Sequence, residues 1–561
     1  MYPYSGKISD EFKTKILNTF RRYETDKTEL VQRLRDNEQY YRSFYTGNTQ
    51  DLKNKMNCST PLLFSAIENA CATSSENFPS ANIIERDEDG SDVAETLSKL
   101  IDCELNYVGF KNIYKKNTRN KLKYGTAIYG VFYNDKTESI DIKCIDILDI
   151  FVDMHLENIQ DSEFVFISAA IDNETLKEIY PDYKALFSGD AQIDTLTDKQ
   201  TLSNRSTIID CYYKKPDGSL HMVKMCKNNI LSATEDIPGY ETGIYDHGMY
   251  PVVFDPLYTC EHSPFGFGMI DIGKATQIQI DKMDAAITEN MIINSKVRYF
   301  SKKNGGIDEK EFVDVSRNIV HFEGDGDGIR AVSGPTVNAN FINYRESKKD
   351  ELKELVANRD FQQGDASGGV VSGTAISLLQ QSGEKRARSM IDDSYECFKN
   401  VVSMTVELVR QFYNEPRVIR STDEFGRKTF MTFSNDLLLK SNYDPYKGYE
   451  WTPLCFDIDI VAQKENPFTR ESQNSTMLAL WDKGLFNPQL QQIAQIVLKN
   501  MNFDGREKIL SDIQELIEAG KRANPETATA QNGEGGIPVD LQVNSSDLGD
   551  ELVPIDISGG L

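Results

Sequence analysis

The sequence lacks any apolar run long enough to cross a bilayer. Its most apolar stretches, such as residues 164–171, are far shorter than the ~20 residues that a membrane-spanning helix needs. The first fifteen residues contain no apolar segment of signal-peptide length. We therefore expect a protein that is made and kept in a cytoplasm and has no membrane partner.

Metal-ligating patterns are equally scarce. The nine cysteines show no CxxC or CxH spacing, which argues against a zinc site and a disulfide framework, and the five histidines include no i, i+4 pair. Acidic stretches beginning at Glu85 and Glu323 resemble calcium loops, but Thr96 and Gly334 stand where the final glutamate ligand belongs. The sequence therefore predicts no metal, no cofactor and a reducing compartment.

Catalytic motifs are missing as well. No GxxxxGK[ST] phosphate loop and no Gly-x-Ser-x-Gly elbow occurs. The glycines of GFGMIDIG at residues 266–273 resemble a dinucleotide fingerprint, but the third glycine is misplaced and no tight βαβ unit surrounds it. We predict no catalytic residues and no enzyme activity.

Positive charge is in deficit, since the formal net charge is −25. Residues 525–561 contain seven acidic side chains and no lysine or arginine. Such a chain lacks the basic surface with which proteins grip DNA phosphates, although an acidic surface suits DNA that must slide. The alternative interpretation is that the charge serves only solubility.

What the sequence does contain predicts an α+β fold. At 561 residues the chain exceeds the ~250–300 residues of one core, so about three regions are expected. Helical periodicity marks residues 8–46, 60–74 and 92–107. From residue 127 to about 258, β-branched and aromatic runs separated by turn signals predict an antiparallel sheet with one helical insertion.

The following segment alternates long helices with small β elements. Residues 268–296 have apolar side chains at helical steps, namely Ile272, Ala275, Ile280, Met283, Ile287 and Met291. Three short β-like stretches precede a second helix at about 341–360, whose narrow apolar stripe is Tyr344, Leu352, Leu355 and Val356. Because that stripe is poorly buried within one protomer, contact with neighbouring copies is expected.

The remaining third of the chain is predicted to contain a loop, helices, strands and a disordered tail. Residues 362–373, QQGDASGGVVSG, are small and nearly uncharged, and a long helix is predicted over 374–414. Strands are expected in 416–462 and helices in 468–522. Beyond residue 524 the composition is rich in Gly, Pro, Ser and acidic residues, which predicts disorder.

This order of elements resembles the portal (head–tail connector) proteins of tailed bacteriophages, most of all those of short-tailed phages. Two pairs of sequence segments carry the resemblance. They are DFQQG at 360–364 with SGTAI at 372–376, and GTAIYGVFYN at 125–134 with DILDIFVD at 146–153. The resemblance covers roughly residues 8–522. The short helical end departs from the very long helical barrel of some short-tailed phages and implies a modest crown.

The resemblance implies a portal-like protomer with an α/β wing, a helical stem, a small β-containing clip and a helical crown, assembling as a ring. The implied regions, in chain order, are the wing 1–267, stem helix 268–296, clip 297–340, second stem helix 341–361, tunnel loop 362–373, long wing helix with returning strands 374–467, crown 468–522 and disordered acidic tail 523–561.

The resemblance also implies a function in DNA passage. A ring of twelve subunits at one capsid vertex would be the channel for genome packaging and ejection and the docking site for the terminase motor. Other implied partners are double-stranded viral DNA, the major capsid or scaffolding protein and a tail adaptor, with assembly in the host cytoplasm. The residues expected to face DNA in the tunnel loop are Gln362, Gln363, Gly364, Asp365, Ser367, Gly368, Gly369 and Val370.

The basic residues of the second stem helix allow two interpretations. Lys348, Lys349, Lys353 and Arg359 are candidates for weak contacts with DNA phosphates in the channel. They are equally suited to salt bridges with the interleaved acids Glu346, Asp350, Glu351, Glu354 and Asp360.

Two other function classes remain open from the sequence. One is a cytoplasmic metal-dependent hydrolase or nuclease whose acidic clusters serve an α+β catalytic domain. The other is a scaffold that does not encircle DNA. The first predicts metal- or substrate-dependent activity that single Asp substitutions abolish, and the second predicts particles without a central opening.

Overall fold

The computed structural model describes most of the chain up to residue 464. The described residues are 6, 8–42, 60–86, 91–196, 199–240, 242–295, 298–301, 329–332, 339–356, 385–422, 428–444, 448–453 and 456–464. Contacts divide the chain into two units, Met1–Ser421 with Lys428–Thr469, and Thr422–Arg427 with Arg470–Leu561. Apart from Thr422, every described residue belongs to the first unit.

The described residues mix helix and sheet, so the predicted α+β class is confirmed. Their helices are α1 Asp10–Asp26, α2 Thr28–Arg42, α3 Leu62–Glu76, α4 Ser91–Val108, α5 Phe110–Tyr124, α6 Asn173–Ile179, α7 Met269–Ser295, α8 Ala339–Leu355 and α9 Lys385–Phe412.

The strands are mostly short and fall largely where β-branched and aromatic runs predicted them. They are β1 Asn77–Glu85, β2 Thr126–Asn134, β3 Ser139–Cys144, β4 Ile150–Phe151, β5 Phe164–Asp172, β6 Ala191–Asp194, β7 Lys199–Leu202, β8 Arg205–Lys214, β9 Leu220–Cys226, β10 Asn229–Ala233, β11 Val252–Pro256, β12 Tyr258–Cys260, β13 Ser263–Phe267, β14 Arg298–Ser301, β15 Ile329–Val332, β16 Arg417–Thr422, β17 Lys428–Phe433, β18 Leu439–Asp444, β19 Gly448–Pro453 and β20 Phe456–Lys464.

Two antiparallel sheets organise the region between residues 126 and 256. One has five strands in the order β10-β9-β8-β5-β4, and the other has three in the order β11-β2-β3. Helix α1 covers one face of the larger sheet, where the Phe12 ring lies 5.0 Å from that of Tyr213 and the Phe20 ring 5.3 Å from that of Phe166. Apolar burial on that face explains the α1 stripe that the sequence showed.

The predicted single helix over residues 8–46 is wrong, because the structure contains two helices that separate at Lys27. The Lys27 side chain is buried and its ammonium donates hydrogen bonds to Leu148 O (2.7 Å) and Ile150 O (2.6 Å). Burial lowers the pKa of Lys27 to about 7. The Lys27 side chain thus anchors the α1–α2 junction to the chain around the start of β4. Helical periodicity in the sequence does not reveal this long-range contact.

Strand β1 was not predicted from the sequence. It pairs along its whole length with β20 in an antiparallel two-stranded sheet, in which Ile83 faces Ile458. Ser98 of α4 accepts a hydrogen bond from Ile83 N at 2.9 Å, so this helix packs beside the strand. Residues nearly four hundred positions apart therefore form one element.

Two predicted helix boundaries differ from the structure. The second stem helix, predicted over 341–361, begins at Ala339, within the predicted clip, and ends at Leu355. Val356, which follows the helix, is buried, and its N–H donates to Leu352 O at 3.1 Å in the last turn. The predicted helix 374–414 is described only from Lys385, and the crown and tail predictions lie outside the described residues.

Candidate functional site

The predicted channel residues fall into two groups in the structure. The tunnel-loop residues Gln362–Val370 and the basic residue Arg359 lie outside the described residues. Lys348, Lys349 and Lys353 are described and lie on α8. The DNA contacts proposed for both groups therefore stay predictions. The described helices of this region are α7 and α8.

The basic side chains of α8 have acidic partners on the same helix. Lys348 Nζ lies 2.6 Å from Glu351 Oε2, and Lys349 Nζ lies 3.3 Å from Glu346 Oε1. Both lysine side chains are about one-fifth exposed, and Lys353 also has an interaction partner. Each such pair stabilises a helix by about 0.2–0.5 kcal/mol. The salt-bridge interpretation is thus realised in the protomer.

Helices α7 and α8 are joined by an ion pair. The guanidinium of Arg345 on α8 binds both carboxylate oxygens of Asp284 on α7, with 3.0 Å between Nη2 and Oδ2. A planar fork on a carboxylate fixes orientation as well as proximity. Hydrogen bonding to Asp284 raises the pKa of Arg345 still further. This ion pair therefore holds α7 and α8 together at the position of Asp284 and Arg345.

Nearer the start of α7, the same two helices share an apolar core. Leu352 and Val356 of α8 pack with Leu63, Ile67 and Ile280 in this cluster. Gly273 permits the approach, because a Cβ there would stand 2.5 Å from Leu63 Cδ2 and 3.1 Å from Leu352 Cδ1. We call this end of the pair the base.

The predicted apolar stripe of α7 is only partly correct. Ile280 is buried, but Met291 is 63% exposed. The buried face of α7 also contains Gly273, Thr276 and Gln277. The predicted stripe omitted them because it included only apolar side chains. Gln277 reaches this face because its amide donates to Thr60 O at 2.8 Å and to Asp281 Oδ1 at 2.9 Å.

Helix α2 holds the start of α7 through polar side chains. Arg33 Nη2 donates to Gly266 O at 2.8 Å, and Asn37 Nδ2 donates to Asp271 Oδ1 at 2.9 Å. The other oxygen of Asp271 accepts from Gly268 N at 2.8 Å, which satisfies a backbone donor at the beginning of the helix. The i, i+4 spacing of Arg33 and Asn37 places both on one face of α2.

The glycines that resembled a nucleotide fingerprint serve chain packing. A Cβ on Gly266 would stand 2.2 Å from Tyr258 O, and one on Gly268 would stand 2.8 Å from Leu122 O. Gly125, at φ +87°, lies against Phe267 and ends α5. Glycine at these positions lets the chain pass closely under α5 before α7 begins.

A buried ion network ties α2 to α5 beside this crossing. Glu38, 3% exposed, accepts hydrogen bonds from Lys123 Nζ (2.5 Å), Arg42 Nε (2.5 Å) and the Tyr124 hydroxyl. Burial raises the pKa of Glu38, but the hydrogen bonds from Lys123 and Tyr124 outweigh it and leave the pKa below its ordinary value. The carboxylate is therefore charged and fully engaged.

A second buried ion pair holds the long helix α9. Lys121 Nζ of α5 lies 2.6 Å from Asp255 Oδ1 of β11 and 2.7 Å from Ser394 Oγ of α9, and both charged side chains are 3% exposed. Ser394 donates in turn to Asp255 Oδ2 at 3.3 Å. Sequence reasoning missed both buried networks, since lysine and glutamate in polar surroundings ordinarily indicate surface.

The opposite end of the α7–α8 pair exposes large apolar side chains. Their exposed fractions are 63% for Met291, 38% for Ile292, 61% for Phe341, 48% for Ile342 and 54% for Tyr344. Beyond them lie β14 and β15, paired antiparallel from Arg298–Val332 to Ser301–Ile329. We call these five side chains the tip patch.

Histidine, cysteine and acidic side chains are scattered across the part of the chain that the structure describes. No group of three or more His, Cys, Asp or Glu side chains there is arranged to hold a metal ion. Among the same residues, no helix combines the length and apolar character needed to cross a membrane.

Comparison with known proteins gives one family. The family model described as "Phage P22-like portal protein" matches residues 217–535, which is more than half of the chain and includes α7, α8 and α9. A search of curated proteins finds no match.

Proposed function

The chain belongs to the phage P22-like portal protein family, and from this membership we propose that its copies form a ring at one capsid vertex. The ring is dodecameric and its central opening is the channel for genome packaging and ejection. The single observation that carries the proposal is the family match, because it extends from residue 217 to residue 535 without being confined to one motif.

Within this proposal, the regions take the roles that the element order implied. Helices α7 and α8 are the stem, residues 297–340 form the clip up to the first turn of α8, and residues 362–373 are the tunnel loop that faces DNA. Residues 468–522 form the crown. The antiparallel joining of α7 and α8 by Arg345 and Asp284 supports the stem assignment, since a stem must be stiff along its length.

The proposed partners follow from the position of a portal. Double-stranded DNA passes through the channel, the terminase motor docks during packaging, and capsid or scaffolding protein surrounds the ring. A tail adaptor of the short-tailed type binds afterwards, and assembly takes place in the host cytoplasm. Portal proteins are in general not enzymes, so the chain acts without a catalytic step, and the hydrolase or nuclease alternative is disfavoured.

Imaging of the purified full-length chain tests the ring. Negative-stain or cryo-electron microscopy is expected to give annular particles with twelvefold rotational symmetry and an open centre. Particles that remain monomeric across protein concentration, salt and added scaffold would overturn the proposal, and so would closed particles without an opening.

The tunnel-loop role has a separate test. Deletion of residues 365–371 is expected to leave ring formation intact and to impair DNA packaging or retention in the assembled head. Loss of rings in the deletion variant would identify the loop as an assembly element instead.

A further inference from the structure

A cavity of about 380 Å³ is lined by both antiparallel sheets and by the end of α9. Strand β2 and the turn after it contribute from one sheet, and β9 and β10 contribute from the other. Residues 234–245, which follow β10, complete the lining. Binding pockets for small molecules usually have volumes of about 300–1,000 Å³, so this cavity has the size for a small ligand.

Aromatic side chains line much of this cavity, namely Tyr133, Tyr240, Tyr245 and Phe412. The Tyr133 and Phe412 rings are stacked, with centroids 4.0 Å apart and 4° between their planes. The Tyr245 ring stands at 88° to that of Phe412. The face of an aromatic ring carries negative potential, so rings in different orientations around one cavity can surround a cation.

Hydrogen bonds hold the lining in place within the protomer. Tyr133 N donates to the hydroxyl of Tyr245 at 3.3 Å. Gln411 of α9 donates from Nε2 to Ile244 O at 3.3 Å, and its Oε1 accepts from Asp246 N at 3.1 Å. The segment that carries Tyr245 is therefore bound to both β2 and α9, and a ligand would enter a site that is already formed.

The lining contains both a base and an acid, and their charges are balanced differently. Lys224 Nζ lies 2.8 Å and 2.7 Å from the two carboxylate oxygens of Asp210. Asp135, in the turn after β2, is exposed and forms no ion pair with any residue that the structure describes. Burial raises the pKa of Tyr240, and the charge of Asp135 raises it further, so this carboxylate acts on the ring side chains. The lining therefore has a negative charge that lacks an ionic partner.

Other ligand classes fit this lining less well. An anion would meet the Asp135 carboxylate, while the ammonium of Lys224 is bound to Asp210. A neutral apolar ligand would use the rings but leave the carboxylate without a counterion. A cation whose charge is covered by methyl groups suits both features, because its surface is apolar and its charge attracts ring faces and a carboxylate alike.

We propose that this cavity binds a small organic cation of the quaternary ammonium class, with Tyr240, Tyr245 and Phe412 around the cationic head and Asp135 as its counterion. The inference is independent of the proposed ring, because every residue that it uses belongs to one protomer. A bound cation would connect the two sheets to the end of α9.

Two probes of nearly the same shape test the role of charge in the wild-type, full-length chain. Choline has a trimethylammonium head, and neohexanol has a carbon in place of the nitrogen and so is neutral. Isothermal titration calorimetry and saturation-transfer NMR measure the binding of each. We expect choline to bind at millimolar concentration or below, and neohexanol to bind about tenfold more weakly. Equal affinities, or no binding of choline, would overturn the inference.

Two acid-to-amide variants locate the site. Asp135→Asn removes the charge beside the rings and should weaken choline binding about two- to fivefold, with no change for neohexanol. Asp246→Asn changes an exposed acid of the same region that does not line the cavity, and it should leave the affinity for choline unchanged. Equal weakening in both variants would contradict the assignment, because it would report the net charge of the protein alone.

A third variant tests the rings. Phe412→Leu keeps an apolar side chain but removes an aromatic face, and choline binding should fall about threefold or more while neohexanol binding is retained. Circular dichroism checks that the variant is folded, and the comparison of probes in the wild type stands without it. Tighter binding of N-acetyl-lysine methylamide than of choline would overturn the ligand class, because a lysine of a partner protein would then be the better occupant.

Discussion

The two ends of the α7–α8 pair are held in different ways. At the base, Leu352 is 1% exposed, and α2 binds the start of α7 through Arg33 and Asn37. At the tip, Phe341 is 61% exposed. Among the described residues, one end of the helix pair is therefore buried and the other leaves large apolar side chains exposed.

The difference shows which contacts fix the position of α7 within the protomer. Beside its apolar core, the base is held by the polar contacts of Arg33 and Asn37, which are costly to bury and stabilise only when every partner is present. Such contacts set one position for α7 relative to α2 and α5. The tip instead leaves large apolar side chains exposed, and burial of such side chains is non-directional. The position of α7 is therefore fixed by polar contacts within the protomer.

The largest expected effect is at the buried carboxylate of Glu38, which ties α2 to α5 beside the base. Replacing Glu38 with Ala leaves Lys123 buried without its partner, and we expect the monomer to lose about 3–5 kcal/mol in free energy of unfolding. Urea denaturation followed by circular dichroism measures it. The control Glu346→Ala removes the surface contacts of this carboxylate with Lys349 and Arg345 on α8 and should cost less than about 1 kcal/mol. Equal losses would abolish the distinction between the two ends.

A matched pair of leucines on α8 probes the apolar part of the base. Leu352→Ala removes a side chain enclosed by the base core and should cost about 2–5 kcal/mol. Leu355→Ala, three residues further on and 37% exposed, should change stability by no more than about 0.5 kcal/mol. Thermal and chemical denaturation of both monomers give the comparison, and a larger effect at Leu355 would contradict the assignment of the base.

The contact of α2 with α7 is expected to have a smaller effect. Asn37→Ala removes the hydrogen bond to Asp271 and should cost about 1–3 kcal/mol, since Asp271 loses a partner in a partly buried site. Hydrogen exchange at the first turns of α7 should become faster while the amides near Met291 are unchanged. Gln32→Ala, which breaks only an exposed contact with Asp36, is the control and should leave both regions as they are.

The smallest effect is expected at the lysines of α8. Replacing Lys348 and Lys349 together with Gln removes two ion pairs on the surface of α8 and should lower the free energy of unfolding less than the other three changes. If their partners in the ring are acids alone, the salt dependence of DNA retention stays at its wild-type slope. A slope reduced by about one per lysine would show phosphate contact instead. Lys282→Gln on α7 is the control.

Much of this helix pair could be predicted from the sequence. The helix predicted over 268–296 is observed as Met269–Ser295, because long apolar periodicity survives in most tertiary settings. The prediction that the apolar stripe is poorly buried within one protomer is correct for Tyr344, which is exposed, and wrong for Leu352 and Val356, which are buried in the base core.

The contacts of the base could not be predicted in the same way. Gly273 and Gln277 are buried because a neighbouring helix approaches closely and supplies a hydrogen-bond partner, and neither fact is encoded in local hydrophobicity. The separation of α1 from α2 at Lys27 depends on two carbonyls more than a hundred residues away. Tertiary partners decide such positions, and a single sequence does not show them.

The pairing of β1 with β20 has a consequence for synthesis. Ile83 can pair with Ile458 only after Ile458 has been synthesised, 375 residues later in the chain. At about 5–20 residues per second, this interval is roughly 20–75 seconds. Until then β1 has no strand beside it, and the first unit of the chain is open at that edge. A nascent chain therefore becomes a finished building block only when most of it has been translated.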